Sequence, residues 1–140
     1  MILFLDTSVV LAACGSAVGA SRVLFDRAEA QDWQLLASNY VVLETELNLP
    51  NLPASANEVW PGLKQQLTLV PDVVTFDWVT VFAPAKDRPI LFTALAWADV
   101  LLTLDRNDFQ SLIGFEFYGL SIMKPGEFLA QERDAGRWQF

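Results

Sequence analysis

The sequence of 140 residues contains no histidine and a single cysteine, Cys14. A disulfide within the chain is therefore excluded, and so is a zinc site built from cysteine and histidine. Without histidine, neither a Ser-His triad nor histidine-based acid–base catalysis is available. An enzyme of this composition must depend on carboxylates or on a metal ion. We interpret Cys14 as a small buried residue.

Positive charge is also scarce, since 9 Lys and Arg residues stand against 17 Asp and Glu residues. The net charge of −8 argues against a generic basic nucleic-acid-binding protein. Three of the basic residues nevertheless flank the acidic residues Asp87 and Asp105; they are Lys86, Arg88 and Arg106. We predict that these three side chains contact substrate phosphate. Ordinary solvated side chains are an equally weighted alternative.

Long apolar runs are absent as well. No run reaches the roughly 18 residues that suggest a membrane-spanning helix, and the first residues lack the basic segment of a signal peptide. We therefore expect a cytoplasmic protein without membrane association. A hydrophobic fraction of 53% with only 19% charged residues predicts a folded core rather than disorder. The length fits one domain over residues 1–140.

The chain alternates between short apolar runs and helical patterns. Strands are predicted at residues 1–5, 33–37, 69–75 with Pro71 as a candidate break, 100–102 and 115–123, the last one interrupted by Gly119. Helices are predicted at residues 9–13, 21–31 with Ser21 as N-cap, 40–49 capped by Ser38 or Asn39, 54–67 with a kink or break at Pro61, 89–98, from 106 onward, and 125–134. This order predicts a parallel sheet with helices on both faces.

Two of the predicted strands are each followed by an aspartate. Asp6 comes directly after the first strand, and Asp105 follows the fourth. Because sites in open α/β sheets form outside the carboxyl ends of the strands, two parallel neighbours would direct Asp6 and Asp105 into one crevice. Hydroxyl side chains stand beside them at Thr7, Ser8 and Thr103, and we expect these to orient the carboxylates.

A structural interpretation of the acidic residues stays open. Asp87, Asp105 and Asp108 each stand near the start of a predicted helix, where an aspartate commonly caps the first turn. Taken singly, each is better explained as a cap. Asp6 is harder to explain without a site, because an apolar strand leads directly into it.

Several segments resemble, in their order and spacing, the motifs of the PIN-domain family. They are residues 2–8 (ILFLDTS), residues 38–49 with Glu44 followed by Asn48-Leu49, residues 85–91 (AKDRPIL), residues 103–109 (TLDRNDF) and the tail at residues 120–129 (LSIMKPGEFL). Each motif is short, and the resemblance rests on the whole series. Glu46 competes with Glu44 in the second segment, and the spacing to Asn48-Leu49 favours Glu44.

The resemblance implies a PIN-like three-layer α/β/α fold with a central parallel sheet. It implies a metal-dependent endoribonuclease that cleaves single-stranded RNA. It also implies a carboxylate cluster for Mg²⁺ or Mn²⁺, formed by Asp6, Glu44, Asp87 and Asp105, with Asp108 as a candidate further member. Oxygen ligands without histidine suit either ion.

Partners also follow from the resemblance. Many relatives are toxins paired with an antitoxin, so an antitoxin protein is the expected partner, with a second copy of the chain as another candidate. We expect such an interface to use exposed apolar groups beside the acidic site. Trp138 and Phe140 are candidates for it, the alternative being that they pack back on the domain.

One departure from the family pattern supports a second hypothesis. Relatives often have glycine between the threonine and the fourth aspartate, where this chain has Leu104, and a tighter loop around Asp105 is expected. Together with the acidic composition, Leu104 favours a PIN-fold protein with little or no catalysis that acts through protein–protein contacts.

Overall fold

The computed structural model describes residues 1–73, 88–105, 116–117 and 119–138. The strands are β1 (Ile2–Leu5), β2 (Gln34–Ser38), β3 (Thr68–Val70), β4 (Val100–Leu102), β5 (Glu116–Phe117) and β6 (Leu120–Met123). The helices are α1 (Thr7–Gly15), α2 (Ala20–Gln31), α3 (Asn39–Asn48), α4 (Ala54–Gln66), α5 (Arg88–Trp97) and α6 (Pro125–Asp134), and a 3₁₀ turn covers Leu49–Asn51.

The strands form one sheet in the order β3-β2-β1-β4-β6-β5. Every neighbouring pair is parallel except β5 and β6, which are antiparallel. Helices flank the sheet, so the predicted parallel α/β architecture is confirmed. Within the described ranges no single helix is long and apolar enough to cross a membrane; α1 and α2 would qualify only as a pair, and they are bent by 94°.

The two central strands, β1 and β4, explain the position of the candidate site. Leu3, Phe4 and Leu5 are fully buried, as all of β4 is buried. Such apolar runs are typical of parallel strands covered on both faces. Leu5 pairs with Leu102 in the register, so the residues that follow them emerge side by side at the carboxyl edge of the sheet.

The prediction of a single strand at residues 115–123 is wrong, because this segment forms two strands, β5 and β6. Glu116 pairs with Ser121 and Phe117 with Leu120 in an antiparallel hairpin. Gly119 lies in its turn with φ of 82°, a left-handed conformation that glycine adopts without steric cost. The third strand ends at Val70 rather than at residue 75, because the next residue, Pro71, has no N–H to donate to the sheet.

The helix boundaries largely follow the sequence signals, with two corrections. Ser38 caps α3 by accepting from the Val41 N–H at 3.4 Å, as predicted. Ser21 is not an N-cap: Gly19 takes that position, and Ser21 is buried in the first turn of α2. Pro61 lies within α4 without splitting it. The helix predicted from residue 106 lies outside the described residues.

The C-terminal segment packs back on the domain. The Trp138 ring lies 6.1 Å from that of Trp33, which also contacts Phe128 edge-on at 5.1 Å. Trp33 precedes β2 and therefore belongs to the amino edge of the sheet, whereas Asp6 follows β1 at the carboxyl edge. Trp138 is thus not beside the acidic site, contrary to the proposed interface. Phe140 lies outside the described residues.

Candidate active site

Asp6 is the buried centre of the site. Its side chain is 5% exposed, and it occupies the N-cap position of α1 directly after β1. Its Oδ1 accepts the Thr7 N–H at 2.7 Å. Its Oδ2 accepts two hydroxyls, Ser8 Oγ at 2.8 Å and Thr103 Oγ1 at 2.7 Å. Of the three residues whose hydroxyls were predicted to orient the carboxylates, Ser8 and Thr103 donate their hydroxyls to Asp6 and Thr7 donates its backbone N–H.

Opposing effects act on the ionisation of Asp6. Burial raises the pKa of Asp6 above its ordinary value of 3.8, because the charged form loses hydration. Hydrogen bonds from Thr103, Ser8 and the Thr7 N–H lower this pKa, and the nearby Glu44 charge raises it further. Burial therefore contributes more to the raised pKa of Asp6 than repulsion from Glu44 does.

Glu44 lies next to Asp6 through a shared contact. Thr7 Oγ1 donates to Glu44 Oε1 at 2.7 Å, while the Thr7 N–H bonds to Asp6. The two carboxylates therefore flank one threonine. The cap of α3 at Ser38, the last residue of β2, fixes where this helix starts and so brings Glu44 to the carboxyl edge of the sheet.

Glu46, the competing acidic residue on α3, faces a different neighbour. Its Oε2 accepts Trp60 Nε1 at 3.1 Å and Lys64 Nζ at 3.2 Å, both from α4. These bonds lower the pKa of Glu46 below 4.5, with the Trp60 bond the largest cause. Glu46 thus bridges two helices, and Glu44 is the residue beside Asp6. Asn48 bonds to the Glu44 backbone carbonyl rather than to its carboxylate.

Asp105 lies in the turn after β4, and this turn is hydrogen-bonded to Asp6 through Thr103. The Asp105 N–H donates to Thr103 Oγ1, and the Leu104 N–H donates to Ser8 Oγ, both at 3.0 Å. The contact between Ser8 and the Leu104 backbone was not foreseen, because backbone donors leave no mark in a sequence. Asp105 itself is partly buried.

Leu104 has an ordinary backbone conformation in this turn. In the described ranges, Asp32 is the one non-glycine residue with positive φ, so the Leu104 backbone has a conformation that any residue adopts. Its side chain is 42% exposed. Leu104 therefore introduces no left-handed backbone conformation here, and the tighter loop around Asp105 stays a prediction.

The remaining predicted site residues lie outside the described part of the chain. They are Lys86, Asp87, Arg106 and Asp108, and the side chain of Arg88. Among the described residues, no three acidic or thiol side chains come close enough together to hold a metal ion. Asp6 and Glu44 form a pair of oxygen donors of the kind that suits Mg²⁺ or Mn²⁺, and Asp105 is linked to them through its backbone.

Comparisons with known proteins bear on the fold. No protein-family model matches the sequence, and no curated protein matches it. Among solved structures, the chain is similar to VapC20 of Mycobacterium tuberculosis, a toxin that cleaves the sarcin–ricin loop, with a TM-score of 0.50. The two share 17% sequence identity over 81% of this chain and 95% of VapC20. The fold is PIN-like. The resemblance in the sequence and the likeness in structure therefore agree on a PIN-like three-layer arrangement.

Proposed function

We propose that the chain is a metal-dependent endoribonuclease that cleaves single-stranded RNA, acting as the toxin of a toxin–antitoxin pair. One observation carries this proposal: Asp6 is buried and held by three donors at the carboxyl edge of the sheet, with Glu44 one threonine away. An acidic pair in such a place is costly unless a cation neutralises it. The PIN-like fold supports the reaction class.

The chemistry divides between the ion and the side chains. A bound Mg²⁺ or Mn²⁺ would supply Lewis-acid chemistry, lowering the pKa of a bound water and neutralising phosphate charge. Asp6, Glu44 and Asp105 would hold it, with Asp87 and Asp108 as further proposed ligands. Thr7 bonds to both Asp6 and Glu44 and so sets the spacing of these two carboxylates. The Ser8 and Thr103 hydroxyls hold the Asp6 carboxylate in its orientation in the metal-free protein.

Substrate contact in so acidic a protein needs local positive charge. We propose that Lys86, Arg88 and Arg106, which neighbour Asp87 and Asp105 in the sequence, contact RNA phosphates. The net charge of −8 would otherwise oppose binding.

A protein partner is part of the proposal. Leu43 and Leu47 are 59% and 68% exposed, and they lie one turn apart on α3, the helix that carries Glu44. Exposed leucines of this kind favour a covering protein, an antitoxin or a second copy of the chain. The same leucines favour the second candidate function, a PIN-fold binding protein without catalysis. A cytoplasmic location stays a prediction.

Cleavage assays on purified protein test the proposal. Single-stranded RNA oligonucleotides and a sarcin–ricin stem-loop are incubated with Mn²⁺ or with EDTA. We expect Mn²⁺-dependent cleavage that Glu44→Gln reduces by roughly 10–100-fold. Glu46→Gln is the matched control on the same helix, and it should leave the rate unchanged because Glu46 bonds to α4.

Two results would contradict the nuclease assignment. One is wild-type protein that cleaves none of these RNAs in Mn²⁺. The other is cleavage that Glu44→Gln and Glu46→Gln impair equally. Stable association with a partner protein in the absence of any cleavage would instead support the binding-protein alternative.

A further inference from the structure

The hydroxyls of Ser8 and Thr103 have a fixed direction of donation. Ser8 Oγ accepts the Leu104 N–H at 3.0 Å and lies 2.8 Å from Asp6 Oδ2. Thr103 Oγ1 accepts the Asp105 N–H at 3.0 Å and lies 2.7 Å from the same oxygen. Because an ionised carboxylate can only accept, each hydroxyl directs its single proton at Asp6 and accepts the backbone N–H on a lone pair.

This direction limits how Asp6 can bind anything else. A carboxylate oxygen offers about two acceptor positions. On Oδ2 both are filled by hydroxyls, and on Oδ1 one is filled by the Thr7 N–H. Within the described part of the chain, the single acceptor position left on Asp6 is therefore on Oδ1, the oxygen next to the residue that also holds Glu44.

Two side-chain hydrogen bonds join the segments around Asp6 and Asp105, and they run in opposite directions. Thr103 donates from the β4 turn to Asp6, whereas Leu104 donates from that turn to Ser8. Backbone bonds from the Asp6 N–H to the Leu102 carbonyl and from the Thr103 N–H to the Met123 carbonyl hold the start of this turn to the sheet. Beyond Thr103, the bond from the Leu104 N–H to Ser8 ties the turn to α1 and so helps to orient the next residue, Asp105.

We propose that Ser8 is a positioning residue for divalent-cation binding: it locks the 103–105 turn against Asp6, so that Asp6 presents Oδ1 alone and Asp105 keeps its orientation. This inference rests on the proposed function, because the cation is the one that the nuclease would use. Ser8 touches neither cation nor substrate and acts through Asp6 and Leu104.

Mn²⁺ titration calorimetry on three variants tests this role. Ser8→Ala should weaken Mn²⁺ binding by about tenfold or more, a loss typical of residues that orient metal ligands. Ser8→Thr keeps the hydroxyl and should restore most of the affinity. Ser21→Ala is the matched control, because Ser21 is the second residue of α2 as Ser8 is the second residue of α1; it should bind Mn²⁺ as wild type does.

Amide hydrogen exchange in metal-free protein separates this inference from the nuclease proposal. In Ser8→Ala the Leu104 amide should exchange about tenfold faster, or more, relative to the Leu101 amide in β4, and Ser8→Thr should restore its protection. Wild-type protein that binds no Mn²⁺ would overturn the cation-positioning role together with the proposed function, while loss of Leu104 protection would still support the lock on the turn. Ser8→Ala with unchanged Leu104 protection overturns the lock. Ser8→Ala with wild-type Mn²⁺ affinity overturns the positioning role by itself.

Discussion

Thr103 Oγ1 donates to Asp6 Oδ2 at 2.7 Å across 97 positions of sequence. The bond follows from the pairing of β1 with β4, in which Leu5 lies beside Leu102. The next residue of each strand must then emerge at the same edge of the sheet. Two wholly apolar strands are thus followed by a hydroxyl and a carboxylate that hydrogen-bond to each other. This pair forms the base of the candidate active site.

Replacing Asp6 by Asn should destabilise the metal-free protein. An amide nitrogen placed at Oδ1 would face the Thr7 N–H, a donor that cannot turn away. Placed at Oδ2, it would remove the acceptor of the Ser8 and Thr103 hydroxyl protons, and both hydroxyls would have to turn those protons elsewhere. We expect a loss of about 1–3 kcal/mol in the free energy of unfolding, as for an unsatisfied buried polar group, reduced slightly by the lost repulsion from Glu44.

Urea denaturation in EDTA measures this loss. Asp26→Asn is the matched control, since Asp26 is exposed on α2, and it should change stability by less than about 0.5 kcal/mol. An Asp6→Asn protein as stable as Asp26→Asn would show that the donors around Asp6 do not discriminate a carboxylate from an amide.

Glu46 should contribute a pH-dependent stability with a defined sign. Its pKa in the folded protein is lowered from 4.5, first by the Trp60 hydrogen bond and then by Lys64. The unfolded chain therefore binds more protons than the folded one between these pKa values, and stability rises with pH there. The contribution is present above 4.5 and is lost as the pH falls through the lowered pKa.

Comparing wild type with Glu46→Gln checks this sign. The stability difference should be at most about 1 kcal/mol at neutral pH, because both Glu46 and Lys64 are more than a third exposed. It should shrink toward zero as the pH falls below 4.5. A difference that grows on acidification would mean that the folded protein favours protonated Glu46, contrary to its two donors.

The central features of the fold could be predicted because they depend on local pattern. The apolar runs that precede Asp6 and Thr103 predict parallel strands, and the carboxyl ends of neighbouring parallel strands lie at the same edge of the sheet. The place of Thr7, Ser8 and Thr103 beside the carboxylates follows from the same reasoning. Gly119 marks an interruption in the strand at residues 115–123, but glycine occurs both in bulges and in turns, so the pattern does not decide whether the chain continues or reverses there.

Other features depend on contacts between distant elements. Glu44 and Glu46 are two positions apart on one helix, so the sequence leaves both as candidates. Their difference arises from Trp60 and Lys64 on α4, which bind Glu46. The Ser8 contact with the Leu104 N–H is likewise invisible in sequence, since every residue but proline carries the same donor.

The C-terminal end of the chain should contribute to stability through a buried acidic residue. The Glu132 side chain is 3% exposed and pairs with Arg137, whose side chain is 57% exposed. Arg137→Ala removes the ionic partner and leaves a buried carboxylate. Breaking a fully buried pair costs several kcal/mol; because Arg137 reaches water, we expect a smaller loss of about 1–3 kcal/mol in the free energy of unfolding.

Two further variants make this loss specific. Adding Glu132→Gln to Arg137→Ala should recover part of it, because an unpaired amide costs less to bury than an unpaired charge. Arg133→Ala breaks a pair whose side chains are 67% and 75% exposed, so it should cost less than about 0.5 kcal/mol. Urea unfolding at neutral pH measures all three. If Arg137→Ala costs no more than Arg133→Ala, water reaches Glu132 well enough to replace its partner, and the tail is not held by this ion pair.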